Sequence, residues 1–134
     1  MSDLKETALY VDDLDRAKRF YQGVLGLEPL VEEDRFCAFD VAGKHVLLLF
    51  LRGASKTPTK VPGGTIPPHD GAGALHTAFA VDSSELPVWE SHLSTHGIEI
   101  VSRVSWPRGG KSVYFCDPDG HLLELLTPGV WRTY

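Results

Sequence analysis

The sequence of 134 residues has only two cysteines, Cys37 and Cys116, too few for the disulfide framework of a small secreted domain. Neither lies in a CxxC pair, so both are expected as reduced thiols in a cytoplasmic protein, with Cys116 simply packed. An excess of positive charge is lacking too. Thirteen Lys and Arg stand against 18 Asp and Glu, a net charge of −5 spread along the chain, which argues against an electrostatic grip on nucleic acid or anionic lipid. No apolar run approaches the roughly 18 residues of a membrane span, and the first residues do not read as a secretory leader. A phosphate loop, a nucleophile elbow and zinc-finger spacing are also absent. What remains is a chain of single-domain size, able to bury an apolar core without staples, whose expected partners are small molecules or other proteins.

What is present is a repeat. "ETALYVD" (Glu6 to Asp12) returns as "HTAFAVD" (His76 to Asp82), identical at Thr, Ala, Val and Asp. After the first copy, Leu14, Ala17, Phe20, Tyr21, Val24 and Leu25 recur at helical spacing and Gly26 stands where a helix ends. After the second, Asp82 and Glu85 resemble a capping box, Pro87 suits a first turn, and Leu86, Trp89, Leu93 and His96 form a stripe ending at Gly97. "GLEPL" then corresponds to "GIEIV", each leading into further strand-like segments: "RFCAFDV" and "HVLLLFL" around the turn "AGK", and "KSVYFC" and "HLLELLT" around "DPDG". The expected fold is α+β, two βαβββ modules (1–53 and 74–134) in one domain spanning 1–134. A Pro- and Gly-rich connection, Arg52 to Gly73 with 54–73 as its loop, joins them. It is longer than most loops of compact domains, so a linker, a lid or a dimer arm is expected there.

Strand alternation sorts the side chains. Glu6, Ala8 and Tyr10 share one face of the first strand, and Thr7, Leu9 and Val11 share the face that suits the helix. In the second copy, His76, Ala78 and Ala80 oppose Thr77, Phe79 and Val81. In the last strand Glu124 shares a face with Leu122 and Leu126, where a carboxylate is costly unless paired or ligated. Singly, Glu6 could be a solvated terminal residue, His76 a hydrogen-bonded core histidine and Glu124 an edge-strand residue. Together, in equivalent places of pseudo-symmetric modules, they are an oxygen, nitrogen and oxygen donor set suited to one divalent ion.

"FYQGVLGL" within "TALYVDDLDRAKRFYQGVLGLEPL", with "LHTAFAVD" and "VYFCDPDGHLLELL", resembles the vicinal oxygen chelate superfamily of glyoxalases, extradiol dioxygenases, fosfomycin-inactivating thiol transferases and bleomycin-resistance proteins. The resemblance covers nearly the whole chain and implies curved mixed sheets forming an open, barrel-like groove. It also implies metal ligands at Glu6, where His is usual, at His76 and at Glu124. Glyoxalase-like members add a carboxylate at the first-module counterpart of Glu124; that place is read as Leu47, leaving three protein ligands and open positions. His45, on the face of Leu47, could approach the site. "YFCDPDGHLLE" resembles the dioxygenase signature, in which the Tyr is an acid or hydrogen-bond donor, here Tyr114. The His that this signature carries upstream is missing from "SWPRGG", and Tyr10 stands where glutathione-using glyoxalases place a basic residue.

The resemblance thus points to a metal-dependent enzyme acting on a small molecule that chelates the ion through vicinal oxygens. One divalent ion is expected, Mn, Fe, Mg, Ni or Zn, with the oxygen-rich set favouring Mn or Fe. Tyr114 and Glu124 are the expected catalytic residues, and Tyr10, Trp106 and Arg108 the expected substrate contacts, although each of these three could equally pack or lie solvated. His69, in the long loop, could reach a site either as part of a lid or from behind the ligands. His92 and His96, spaced i, i+4, lack a third donor, and His121 should point away from the face of Glu124. A homodimer with sites shared between chains is expected from the family. The competing reading is a metal-free, ligand-sequestering protein of the bleomycin-resistance kind, which has no need of ionisable groups at these places.

Overall fold

The first strand, β1 (Glu6–Val11), alternates as its sequence demands: Leu9 and Val11 are buried, while Glu6, Ala8 and Tyr10 lie toward the other face with some exposure. In the computed structural model, which describes residues 1–134, it begins the first of two units, Met1–Gly73 and Ala74–Tyr134. The chain continues through α1 (Leu14–Gly23), β2 (Glu28–Glu32), β3 (Phe36–Val41), β4 (His45–Leu51), β5 (Thr59–Val61) and β6 (Gly64–Ile66). Unit 2 holds β7 (His76–Ala80), α2 (Leu86–Thr95), β8 (Ser102–Ser105), β9 (Lys111–Cys116) and β10 (Leu122–Leu126). The sheets run β1-β4-β3-β2 and β7-β10-β9-β8, and in each the opening strand pairs parallel with the last while the remaining pairs are antiparallel. The βαβββ plan therefore occurs twice, with one strand order.

In unit 1 the buried stripe Leu14, Ala17, Phe20 and Tyr21 of α1 covers the sheet face carrying Cys37, Phe39, Leu47 and Leu49. The ring of Tyr21 stands 6.3 Å from that of Phe39. Asp13 caps this helix by accepting from the Arg16 N–H at 3.0 Å, and Gly26 ends it at φ +69°, a conformation that costs glycine nothing. The helix α2 buries Leu86 and Leu93. Its expected capping box does not form. Glu85 is the cap residue without a side-chain hydrogen bond, and Asp82 contributes its carbonyl, which accepts from the Glu85 N–H at 2.9 Å. Nor does "GIEIV" repeat the strand formed at Glu28–Glu32, for β8 starts only at Ser102, and the Val101 N–H extends the ladder alone by donating to the Tyr114 carbonyl at 2.8 Å.

Burial of the cysteines is the reverse of the packing expected of Cys116. Cys37 is buried, its thiol pushed up to about 11 by burial, and Cys116 is exposed. The long connection contains the β5–β6 hairpin and folds back on unit 1, with His69 N–H donating to the Ser55 carbonyl at 2.9 Å and Gly53 N–H to the Asp70 carboxylate at 3.2 Å. No helix is long and apolar enough to cross a membrane.

Candidate metal centre and ligand pocket

In unit 2, β10 lies between β7 and β9, with Leu122 opposite His76 and Glu124 opposite both Ala78 and Tyr114. This register gathers three of the expected site residues. Glu124 is 5 % exposed, so its carboxylate is indeed held in an apolar strand. Its partner is the half-exposed imidazole of His76, with Nε2 at 3.2 Å from Oε2.

The tautomer follows from the other ring nitrogen. His76 Nδ1 lies 2.9 Å from the Leu122 carbonyl oxygen, which can only accept, so Nδ1 carries a proton and Nε2 faces the carboxylate. A bare Nε2 lone pair against a carboxylate oxygen at that distance is repulsive. Positive charge belongs between them, as a proton or as a metal ion. The geometry suits the ion: two ligands each about 2.1 Å from a metal and about 100° apart lie about 3.2 Å from each other. A backbone carbonyl holding Nδ1–H is also how ligating histidines are commonly oriented.

Tyr114 stands beside this pair, its ring centroid 6.3 Å from that of His76. Burial raises its phenol pKa, hydrogen bonding to Ser112 opposes the shift, and hydrogen bonding to Glu124 with the carboxylate's charge adds to it. Ser112 is itself buried and accepts from the Trp106 indole N–H at 2.8 Å. Trp106, expected to contact substrate, is thus linked to Tyr114 through a serine that the sequence reading passed over; its signal was the i, i+2 spacing of Ser112 and Tyr114. Arg108 is held otherwise, its guanidinium donating to the Val130 carbonyl at 3.1 Å. His121 is buried away from the Glu124 face, its Nδ1 accepting from the Leu75 N–H at 3.0 Å.

Unit 1 carries the third expected donor, Glu6, exposed at the start of β1. The register there corrects the position of the missing carboxylate. Glu6 pairs with Val46 and Ala8 with Leu48, as His76 pairs with Leu122 and Ala78 with Glu124. The counterpart of Glu124 is therefore Leu48, and Leu47 is buried in the core on the opposite face. His45 goes with Leu47, away from Glu6, and its Nδ1–H donates to the Leu4 carbonyl at 2.6 Å, so it does not join the site. Neither unit by itself gathers three His, Cys, Asp or Glu side chains into a metal-holding group.

Unit 1 also has a cavity of about 550 Å³ whose lining includes Glu6, Ala8, Tyr10, Leu48, Phe50 and His69. Tyr10, an expected substrate contact, lines it with its hydroxyl 2.8 Å from His69 Nδ1. Burial and the Asp70 carboxylate both raise the Tyr10 pKa.

The duplicated fold agrees with comparisons to known proteins. The model of the glyoxalase/bleomycin resistance protein/dioxygenase superfamily matches residues 3–125. The chain belongs to that superfamily. Among curated superfamily members, it is 30 % identical over 118 residues to the metallothiol transferase FosB of Staphylococcus saprophyticus, covering 87 % of this chain and 71 % of that one. It is 31 % identical over 121 residues to the catechol-2,3-dioxygenase of Bacillus subtilis, covering 87 % of this chain but 38 % of that longer one. The crystal structure of a lactoylglutathione lyase from Agrobacterium tumefaciens superposes with a TM-score of 0.89 at 34 % identity, covering 98 % of each chain.

Proposed function

We propose that this superfamily member is a metal-dependent enzyme whose substrate chelates the ion through two neighbouring oxygens. Glu6, His76 and Glu124 are the proposed ligands, and Mn or Fe is favoured over Mg, Ni or Zn because two of the three donors are oxygens. The observation that carries the reading is His76, anchored through Nδ1 and presenting Nε2 to a buried carboxylate at 3.2 Å. When bound, the ion would supply Lewis-acid stabilisation of negative charge developing on a substrate oxygen. The chain's own residues do the rest. Tyr114, kept protonated by burial, is the proposed proton or hydrogen-bond donor, and Glu124 orients both it and His76. The metal-free alternative, a ligand-sequestering protein, draws support from the cavity of unit 1, which needs no metal to hold a ligand.

Reconstitution with Mn(II), Fe(II), Ni(II) or Zn(II), one at a time, separates the two readings. The metal reading expects about one ion per chain, with His76→Ala and Glu124→Ala each lowering affinity more than about 100-fold, since even residues behind the ligands commonly cost 10- to 100-fold. Stoichiometry near zero with every ion would leave the sequestering protein.

Sites are proposed to be shared in a homodimer, Glu6 from one chain and His76 with Glu124 from the other. In a mixed dimer of Glu6→Ala and His76→Ala chains, one shared site would carry both lesions and the other none. About half of the native metal capacity should then return; a verified heterodimer that recovers none would place each site within one chain.

A further inference from the structure

The aromatic wall of the unit 1 cavity points to the kind of molecule bound. Tyr10 on β1, Phe50 on β4 and Phe36 on β3 stand side by side in register across the sheet. Their ring centroids are 6.0 and 5.4 Å apart, with interplanar angles of 27° and 22°. His69 crosses Phe50 edge-on at 4.5 Å and hydrogen-bonds to the Tyr10 hydroxyl at 2.8 Å.

The connection holds this imidazole in place. The backbone of His69 is tied to Ser55, Asp70 receives the Gly53 N–H, and Gly71 lies so close to Tyr10 that a Cβ there would stand 2.4 Å from a ring carbon. Four residues of strand, about 13 Å, separate Glu6 from Tyr10, with Ala8 and Leu48 lining the interval. Arg35 is the one permanent cation on the lining, and its guanidinium also donates to the Ala54 carbonyl at 3.4 Å. Phosphonates and other small polyanions are ordinarily met by several cationic donors.

We propose that this pocket selects the substrate: it receives a flat, carbon-rich body against the Phe50 and Phe36 rings, with a hydroxyl or carbonyl oxygen of the ligand hydrogen-bonded at the Tyr10–His69 pair. Small polyanions are accordingly poor ligands of this chain. The chelating end of such a molecule rests on the metal reading above, whereas its carbon body rests on unit 1 alone.

Two probes keep these apart. In metal-free protein, 4-nitrophenol should bind saturably, and Phe50→Leu and His69→Gln should each weaken it about 3- to 10-fold, the loss expected for one stacking surface or one hydrogen bond. The two substitutions lie on different elements, and thermal melts identify a variant that fails to fold, leaving the other to decide. No saturable binding, or affinity unchanged in a folded variant, overturns the proposal. In metal-loaded protein, 4-nitrocatechol should bind at least tenfold tighter than phosphonoformate, and equal or reversed preference overturns it as well. If no metal is taken up, the metal reading fails, and the 4-nitrophenol result still decides the pocket.

Discussion

In unit 2 the parallel pair β7 and β10 sets an imidazole against a buried carboxylate, with a tyrosine of β9 beside them. In unit 1 the corresponding pair, β1 and β4, sets an exposed Glu6 and a half-buried Leu48 at the matching places, and an aromatic row lines the same sheet face. Strand order and parallel pairing are common to both, while the helix-facing residues of the opening strands are buried at Leu9 and Val11 but only half-buried at Thr77 and Phe79. The residues on the other sheet face are what differ. A duplicated module thus has one face fixed by packing against its helix and another free to diverge, because only the first must fill a close-packed core. On that face unit 2 presents the His76–Glu124 pair, and unit 1 presents Glu6 and an aromatic row.

The largest expected effect tests whether the donor side of this contrast does chemistry. Tyr114→Phe should lower turnover about 100-fold, within the range for loss of a proton donor, while metal content is unchanged. The assay should cover 2-oxoaldehyde thiol adducts, catechols and epoxide antibiotics. In metal-free protein, burial raises the phenol's pKa, so ultraviolet titration should show Tyr114 keeping its proton to higher pH than an ordinary tyrosine. Parallel loss of metal and turnover would reduce Tyr114 to a packing residue.

A smaller effect comes from making the two units more alike. Leu48→Glu installs a carboxylate at the counterpart of Glu124, near Glu6. On the metal reading it should tighten Mn(II) binding about tenfold by adding a fourth protein ligand, while two of six positions stay open and 4-nitrocatechol still chelates. Without metal the new charge repels Glu6 across the strands, and the melting temperature should fall. Unchanged Mn(II) affinity would mean that this face of unit 1 does not approach the ion.

The repeat was legible in the sequence because the helix-facing positions keep their period in both copies: Leu9 and Val11, the stripe of α1, and Leu123 and Leu125 behind Glu124 are all buried as alternation requires. Glu124 was legible for the same reason, as a charge inside an apolar strand. Register was legible too, since "AGKHVLLLF" set letter by letter against "PDGHLLELL" puts Leu48 at Glu124; a count one residue short exchanges the two faces of a strand, gives Leu47 instead and draws His45 toward a site it does not join. The position of His69 was beyond reach, since a loop has no period and its imidazole is located by hydrogen bonds to Tyr10 and Ser55. The failed cap of α2 has a local cause: Asp82 and Glu85 have the right spacing, but the helix begins after Glu85 and Asp82 lies in the preceding turn.

That cap is the smallest difference between the units and the simplest to measure. Asp13 is an extended residue before α1 whose carboxylate accepts from the Arg16 N–H, whereas Glu85 before α2 is already helical and makes no side-chain cap. Asp13→Ala should therefore lower the melting temperature by a few degrees and Glu85→Ala should leave it nearly unchanged. The bond to the Arg16 amide is the largest influence holding the Asp13 carboxyl below its usual range, so its folded pKa lies under the unfolded one. The charge-dependent part of its stabilisation is fully present above the unfolded pKa and disappears as pH falls through the folded one. Asp13→Asn keeps an acceptor oxygen but cannot titrate, so the melting-temperature difference between native protein and this variant should shift against the native protein on acidification below about pH 4. A difference constant across that range would show that Asp13 caps α1 through shape alone.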